Sequence, residues 1–434
     1  PTGTTPGPQR QYPVASTASN IQLPLFAFLF GYGMVQFYRS RIDRGMEPRI
    51  VRAMMRRRHW GMLLLGLLHA TLLFYGDILG AYAIGGLLLV WIFFGRRTRT
   101  LIIWLAVIVG LMALFAVFSV VSAVALVYFA PPEALAAAGS GTFEMGQLRD
   151  VAYGQPYLVS LLARLGVWAV GIVPMGAVVT PLPILLGWLA ARRRVLDEPW
   201  RHRRLLTGVA VGGIVVGWLG GLPVVLGFLG ALPLPESVSW AFSGVNMLAG
   251  MVCGVGYAAA FGLLAARLEG RGARSGTHAE ASPDGAPQDS APTDSAPTDR
   301  AERRETRRAA SAAEAAQSPA ERAYGVPAAE DVPAPTRSPG VLLRALSAVG
   351  QRSLSFYLFQ SVLLAPLMAS WGIGLGVHLG TAGAVGIAFA VWLLSLPISL
   401  ALDARGLRGP AELVLRRMTY GTHDPRPSRA APTP

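Results

Sequence analysis

A histidine and an aspartate lie within an apolar stretch of the sequence, RRRHWGMLLLGLLHATLLFYGDILG at residues 56–80. His69 is inside the apolar run, and Asp77 closes it directly after Gly76. An imidazole can act as a general base near neutral pH. A carboxylate can hold such an imidazole in one tautomer and stabilise its cation. We therefore take His69 and Asp77 as candidate catalytic residues.

Each of these two residues also has a structural interpretation. They are eight positions apart, or about 12 Å along a straight helix, so a direct contact requires the chain to fold back at Gly76. Asp77 is also well placed to cap the next helix, because an aspartate accepts hydrogen bonds from the first free amides. His69 could instead form a hydrogen bond to a neighbouring helix. Its distance from Arg58, about 16 Å along a helix, predicts a position near the middle of a membrane, where ionisable groups usually mark a site or pathway.

Four further polar residues in apolar stretches are candidate substrate ligands. Arg164 lies in the stretch 157–175, where it would either bind an anionic group or extend to the membrane interface. Gln360 and Ser361 follow Tyr357 by three and four residues, so both share a helical face with it. Such a polar stripe would line a cavity or form hydrogen bonds to another helix.

The composition indicates a membrane protein. The chain has 434 residues, of which 53% are hydrophobic and 14% charged, and its mean hydropathy is +0.45. A soluble domain carries roughly a quarter charged residues. Here the apolar residues form blocks of about 17 to 30, the length that crosses a bilayer core as a helix. We therefore predict an all-α fold, a polytopic integral membrane helix bundle in contact with the lipid bilayer.

Nine crossings are predicted, and a tenth would be present if an N-terminal helix precedes the sequence. The fifth stretch is 33 residues long and contains three prolines, so we expect a broken helix there, which is tolerated where the backbone lines a cavity. The predicted crossings are residues 21–38, 60–75, 77–95, 101–129, 159–191, 204–231, 238–267, 352–371 and 381–402.

The arginines predict the orientation. All 38 basic residues are arginines. In the predicted topology all of them lie on the same side of the membrane except Arg10, Arg149 and Arg164. Because basic loops remain in the cytoplasm, the N-terminus is predicted outside and the C-terminus in the cytoplasm, with the chain in the bacterial plasma (inner) membrane. The net charge of +14 is explained by these loops, so no nucleic-acid partner is expected.

The segment at residues 268–339 differs in composition from the rest of the chain. It is rich in Ala, Pro, Ser and charged residues and contains the repeat DSAPTDSAPTD. Because it has few large apolar side chains, it is predicted to be a disordered cytoplasmic linker. The predicted organisation is a polar outer segment at 1–20, the first part of the bundle at 21–267, the linker, the C-terminal helices at 340–403 and a cytoplasmic tail at 404–434.

Several soluble-enzyme motifs are absent from the sequence. It has no Gly-x-x-x-x-Gly-Lys phosphate loop, no Gly-x-Ser-x-Gly elbow and no Cys/His cluster with the spacing of metal ligands. The chain contains one cysteine, Cys253, so no internal disulfide can form. No metal site and no nucleotide-hydrolysing motor are predicted.

Five segments together carry a family resemblance. They resemble stretches of the bacterial DUF418 (YeiB-like) membrane proteins, in the order of that family. The family's first helix, with an Asp-x-x-Arg-Gly-x-Ala motif, has no counterpart before residue 21. The segments are FAFLFGYGMVQ (26–36), RRHWGMLLLGLLHATLLFYGDILGAYAIGGLLLV (57–90), LLGWLAARRRVL (185–196), GQRSLSFYLFQSVL (350–363) and GPAELVLRRMTYG (409–421).

The resemblance implies a function, because this family is distantly similar to transmembrane acyltransferases of the acyltransferase-3 and heparan glucosaminide acetyltransferase groups. Acyltransferase-3 enzymes carry a basic residue and a histidine with ten residues between them, and Arg58 and His69 have this spacing. Acyl-CoA would then be the co-substrate. Its phosphates would bind Arg56, Arg57 and Arg58, since guanidinium groups bind phosphate bidentately.

In this hypothesis His69 is the base for a hydroxyl or amine of a small-molecule, glycan or lipid acceptor. Two alternatives remain open at this stage. One is a small-molecule transporter or exporter that uses His69, Asp77 and Arg164 as a relay or binding site, with broken helices near residues 174–183. The other is an uncharacterised membrane scaffold. The oligomeric state is left open.

Overall fold

The computed structural model describes residues 12–135, 145–229, 231, 236–277 and 340–420, and these residues contain helices and no β-strand. The all-α prediction is confirmed. A π-helical turn, Met175–Val179, and a 3-10 segment, Glu236–Phe242, lie between α-helices. The α-helices are α1 (Tyr12–Ile42), α2 (Pro48–Leu72), α3 (Leu79–Ile92), α4 (Thr98–Phe129), α5 (Met145–Tyr153), α6 (Tyr157–Pro174), α7 (Pro181–Arg192), α8 (Arg203–Phe228), α9 (Ser243–Thr277), α10 (Val341–Gln351), α11 (Ser353–Met368), α12 (Leu375–His378), α13 (Thr381–Ala404) and α14 (Pro410–Tyr420).

Helices that can cross a membrane dominate the structure. Within the described residues, six helices are long and apolar enough to do so, and the chain is therefore a polytopic helical membrane protein. Their outward faces are rich in exposed Leu, Val, Ile and Phe, as expected for contact with lipid. The six spans are Ile21–Ile42, Thr98–Phe129, Tyr157–Val179, Arg203–Gly227, Trp240–Leu268 and Ala382–Ala404.

The other three of the nine predicted crossings coincide with α2, α3 and α11. Helix α3 has 14 residues and α11 has 16, so they rise about 21 Å and about 24 Å, less than the roughly 30 Å of a hydrocarbon core. Helix α2 is longer, but its first half is rich in arginine. These three elements are therefore the shorter or more polar part of the bundle.

The interruption predicted within residues 159–191 is present. Helix α6 ends at Pro174, continues through the π-helical turn, and is followed by α7 from Pro181. Helix α7 is buried against α1: a Cβ atom placed on Gly187 would overlap the carbonyl oxygen of Phe28. The main hydrophobic core lies between α1, α2, α3 and α7.

The segment boundaries differ in part from those expected. Helix α1 begins at Tyr12, inside the expected polar segment 1–20, and α9 continues to Thr277, inside the expected linker. The remainder of that linker, residues 278–339, lies outside the described residues.

The expected tail at 404–434 contributes a helix to the bundle. The side chains of Leu415 and Met418 on α14 approach Gly61 of α2 so closely that an added Cβ would lie 3.0 and 3.2 Å from them. Because α14 has an apolar face, burial against α2 stabilises it. Residues 421–434 lie outside the described residues.

The arginine-bearing loops meet at one end of the bundle, which we call the arginine-rich end. There Arg39 pairs with Asp197 at 2.9 Å, and Arg192 donates to the carbonyl oxygen of Arg96. At the opposite end, the Ser370 amide donates to the carbonyl oxygen of Tyr153 at 3.3 Å. The two ends therefore differ strongly in charge.

Candidate functional site

The end of α2 positions His69. Its carbonyl oxygen accepts hydrogen bonds from the amides of Leu73 and Phe74, at 2.9 and 3.0 Å, and this closes the helix before the chain turns into α3. His69 is three residues from the end of α2 at Leu72. It therefore lies in the last turn of α2, far from the arginines in the first half of that helix.

His69 and Asp77 are in direct contact. Nδ1 of His69 lies 2.8 Å from Oδ1 of Asp77, and the two side chains are 1% and 0% exposed. The fold-back that such a contact requires occurs between Leu73 and Ile78. Since the carboxylate accepts the Nδ1 proton, a neutral imidazole keeps its lone pair on Nε2. The pair therefore has the arrangement of a general base and its orienting carboxylate.

Asp77 also caps α3. Its second oxygen, Oδ2, accepts a hydrogen bond from the amide of Gly80 at 2.7 Å. Asp77 therefore contacts the start of α3 and the His69 ring at the same time, with a different carboxylate oxygen for each. A single buried side chain thus fixes the start of α3 and the orientation of the His69 ring.

Two glycines make room for this carboxylate. A Cβ atom on Gly66 of α2 would lie 2.6 Å from Oδ2 of Asp77 and 2.6 Å from the amide nitrogen of Gly80. A Cβ atom on Gly80 would lie 2.8 Å from the Trp168 ring on α6. The close packing of α2, α3 and α6 around Asp77 therefore depends on small residues.

Tyr357 of α11 completes the group. Its hydroxyl donates to Oδ1 of Asp77 at 3.3 Å and accepts a hydrogen bond from the Ile78 amide at 3.3 Å. Its ring lies 4.9 Å from the His69 ring, centroid to centroid. Tyr357 is thus placed to position Asp77. Gln360 and Ser361, which the sequence placed on the same helical face as Tyr357, are partly buried. Within the described residues, no hydrogen bond joins either of them to His69, Asp77 or Tyr357.

Nε2 of His69 is the reactive position that this geometry leaves available. It is buried, and no atom of the described residues forms a hydrogen bond with it. A buried nitrogen without a partner is unfavourable unless a ligand or a water molecule satisfies it. The atom that a base would use is therefore a buried atom that forms no hydrogen bond within the described residues.

Arg164 is fully buried on α6. Its Nε donates to the carbonyl oxygen of Thr71 at 2.9 Å, and Nη1 donates to that of Ala152 at 3.2 Å. Thr71 follows His69 by two residues, so the guanidinium lies close to the His69 turn. Three aromatic rings surround its Cζ, at centroid distances of 5.8 Å for Tyr153, 5.2 Å for Tyr157 and 5.7 Å for Trp371.

The three consecutive arginines of α2 do not form one site. Successive residues of a helix point in different directions, so Arg56 and Arg57 are exposed while Arg58 is partly buried. The Arg58 guanidinium lies 5.8 Å from the centre of the Phe37 ring on α1. Of the three, only Arg58 points into the bundle.

Arg58 belongs to a group at the arginine-rich end that we call the basic–aromatic cluster, consisting of Phe37, Arg41, Arg58, Arg416 and Tyr420. Arg41 lies 5.0 Å from the Phe37 ring centre and donates a hydrogen bond to the Tyr420 hydroxyl. Arg416 lies 5.2 Å from the Tyr420 ring centre. Arg41 and Arg416 could not be identified from the sequence, because they lie on other helices, α1 and α14, and only the packing of the helices brings them to the Phe37 and Tyr420 rings.

A second buried histidine on α2, His59, was also not singled out from the sequence. It is 1% exposed, its Nδ1 lies 2.6 Å from the carbonyl oxygen of Met55, and its ring packs edge-on against Phe30. Among the described residues no carboxylate is paired with it. His59 therefore provides a matched comparison for His69. Nowhere in the described ranges do three or more His, Cys, Asp or Glu residues group as metal ligands.

The fold and the site define a class: a polytopic helical membrane protein with a buried histidine–aspartate pair. Residues 333–422 match the family described as "Protein of unknown function (DUF418)", so the predicted resemblance to DUF418 proteins is confirmed. The chain is also similar to the uncharacterized protein YxaH of Bacillus subtilis (strain 168), with 31% identity over 207 residues. That match covers 44% of this chain and 48% of the relative. No solved structure matches the chain.

Proposed function

We propose that this protein is a membrane-embedded acyltransferase that moves an acyl group from acyl-CoA to a hydroxyl or amine acceptor. The observation that carries the proposal is the buried His69–Asp77 pair with its unused Nε2. Nε2 takes the proton of the acceptor as its oxygen or nitrogen attacks the thioester carbonyl. Asp77 stabilises the imidazolium that forms. The carbon–sulfur bond then breaks, and His69 returns the proton to the departing CoA thiolate.

The basic–aromatic cluster is the proposed site for the CoA phosphates. Arg58 and His69 lie on the same helix, eleven residues or about 16 Å apart. An elongated donor with phosphates at one end and a thioester at the other fits that separation. In this proposal Arg41, Arg58 and Arg416 replace the expected set of Arg56, Arg57 and Arg58, and the arginine-rich end faces the cytoplasm of a bacterial plasma membrane.

The test is acetyl-CoA binding and thiol release by the protein purified in detergent. Titration calorimetry measures binding, and a thiol reagent measures CoA release with and without amine or hydroxyl acceptors. We expect the His69→Gln variant to bind acetyl-CoA but to release CoA about 100-fold more slowly or worse, the usual contribution of a general base. The control is His59→Gln, at an equally buried histidine of the same helix, which retains most of the activity. No acetyl-CoA binding, or equal release by wild type and His69→Gln, would contradict the proposal.

A second candidate function is transport, and the interrupted α6–α7 segment favours it. The π-helical turn packs directly on α3: a Cβ atom on Gly85 would overlap the hydroxyl of Thr180, and one on Gly176 would lie 2.7 Å from Ile84. Broken helices beside ionisable groups are characteristic of secondary transporters, and His69 would then carry a proton.

The transport hypothesis has its own test. Proton-driven uptake of labelled small anions or amines into proteoliposomes, without acyl-CoA and abolished by His69→Gln, would favour it over acyl transfer. If His69→Gln changed neither uptake nor thiol release, the scaffold hypothesis would be favoured.

A further inference from the structure

Arg164 is a buried positive charge without a counterion in the part of the chain that the structure describes. Its side chain is 0% exposed, and its described hydrogen bonds go to two backbone carbonyl oxygens. Burying a charge is expensive, and buried charges in proteins are usually paired with an opposite charge. Two carbonyl dipoles and three aromatic rings compensate this guanidinium only in part.

Several hydrogen-bonding groups beside Arg164 are also unsatisfied. Nη2 of Arg164, Nε1 of Trp371 and Oγ1 of Thr71 are all buried, and none has a hydrogen-bond partner within the described ranges. They belong to one small region. The backbone carbonyl oxygen of Thr71 accepts a hydrogen bond from Nε of Arg164, and the centre of the Trp371 ring lies 5.7 Å from Cζ of Arg164. All three groups can donate a hydrogen bond. A cation with additional donors around it is complementary to an anion with several acceptor oxygens.

We propose that Arg164 and Trp371 bind an oxyanion, a carboxylate or phosphate group, on the molecule that His69 acts on. Guanidinium–oxyanion hydrogen bonds are among the strongest in proteins, and the surrounding aromatic rings keep water away and so strengthen them. Thr71 is two residues from His69 on α2, so an anionic group at Arg164 would hold the rest of the ligand beside Nε2. The acceptor is thus an anionic molecule. Its identification as the acceptor rests on the proposed function, whereas the oxyanion site itself does not.

The experiment measures anion binding by the unfolding temperature of the full chain in detergent. Inorganic phosphate and acetate are titrated against chloride at constant ionic strength, since a ligand of the folded state raises the midpoint in a saturable way. We expect a saturable rise for wild type and for the double variant Arg41→Gln/Arg58→Gln, which removes the competing basic–aromatic cluster. When Arg164→Gln is added to that double variant, the response should be lost.

A gentler variant tests the same site if Arg164→Gln does not fold. Trp371→Phe keeps an aromatic ring beside the guanidinium and removes an indole N–H that forms no hydrogen bond with the described residues. This variant should raise the apparent dissociation constant for the anion at least threefold. Its unfolding temperature in the absence of anion should change little. Each outcome is judged in the Arg41→Gln/Arg58→Gln double variant, which lacks the competing cluster. No saturable response in that double variant, an undiminished response when Arg164→Gln is added to it, or an unchanged dissociation constant when Trp371→Phe is added to it would overturn the proposal.

The choice of probe distinguishes the possible ligands. A response to acetate as well as phosphate indicates a carboxylate-bearing ligand, and a response to phosphate alone indicates a phosphate ester. In the second case, short-chain phosphatidylglycerol compared with glycerol phosphate separates a lipid headgroup from a free solute. None of these titrations uses acyl-CoA, so a failure of acyl transfer and a failure of the oxyanion site are observed independently.

Discussion

The hydroxyl of Tyr357 lies 3.3 Å from Oδ1 of Asp77, although the two residues are 280 positions apart in the chain. Tyr357 belongs to the segment that matches DUF418, and Asp77 belongs to the α2–α3 hairpin. The hydrogen bond therefore joins the family-matched helices to the element that carries His69. The candidate site is complete only when both parts of the chain pack together.

The first prediction concerns this hydrogen bond. Tyr357→Phe removes the partner of the Ile78 amide and of Oδ1 of Asp77, so we expect a loss of about 1–2 kcal/mol in the free energy of unfolding. The rate of CoA release should fall because Asp77 is held less firmly, while the KM for acetyl-CoA stays unchanged because the proposed phosphate site is distant. Steady-state kinetics and thermal unfolding measure both effects. A raised KM with an unchanged kcat would show that Tyr357 binds substrate directly.

The second prediction separates the two roles of Asp77. Asp77→Ala removes the cap of α3 and leaves Nδ1 of His69 buried without an acceptor, so we expect a stability loss of about 2 kcal/mol or more. Asp77→Asn retains an oxygen that can accept from Gly80 and should be less destabilised. Both variants should lose CoA release, since a neutral group stabilises the imidazolium poorly. If Asp77→Ala unfolds at the wild-type temperature, the capping role assigned to Asp77 is wrong.

Much of the fold could be predicted from the sequence, because apolar blocks of membrane-spanning length are a strong local signal. The interruption near Pro174 and Pro181 followed from the length of the stretch and from proline chemistry. The ends of helices were less predictable. For example, α14 lies in the expected tail because its apolar face is buried against α2, which is a tertiary effect.

The candidate site was predictable only in part. His69 and Asp77 were conspicuous because ionisable residues are rare among apolar ones. Their contact was not predictable, since it depends on how the six residues between α2 and α3 fold back. The hydrogen bonds of Tyr357 with Asp77 and of Arg41 with Tyr420 join distant parts of the chain, and no spacing rule reports such contacts.

The third prediction tests the close packing around Asp77. In Gly66→Ala the new methyl group would lie 2.6 Å from Oδ2 of Asp77, so α2 and α3 must separate, at a cost of about 1–3 kcal/mol. The rate of CoA release should also fall in Gly66→Ala, because the Asp77 carboxylate is displaced from His69. The matched control is Gly208→Ala on α8, where an added Cβ meets no atom within 4 Å. Alanine there should leave stability unchanged or raise it, since alanine favours helix over glycine. Equal unfolding temperatures for the two variants would exclude a steric role for Gly66.

The fourth prediction distinguishes two adjacent arginines of α2. Arg58 points towards Phe37 inside the basic–aromatic cluster, whereas Arg57 is exposed on the outer face of the helix. If the CoA phosphates bind this cluster, Arg58→Gln loses a charge-assisted hydrogen bond of about 1.5–3 kcal/mol, which weakens acetyl-CoA binding roughly tenfold or more. Arg57→Gln removes the same charge from the sequence but should weaken binding less than about twofold, because exposed charges are screened by salt. Titration calorimetry at two salt concentrations measures both variants. Equal weakening would mean that the arginines attract CoA only through the overall positive potential of this end, and that Arg58 makes no specific contact.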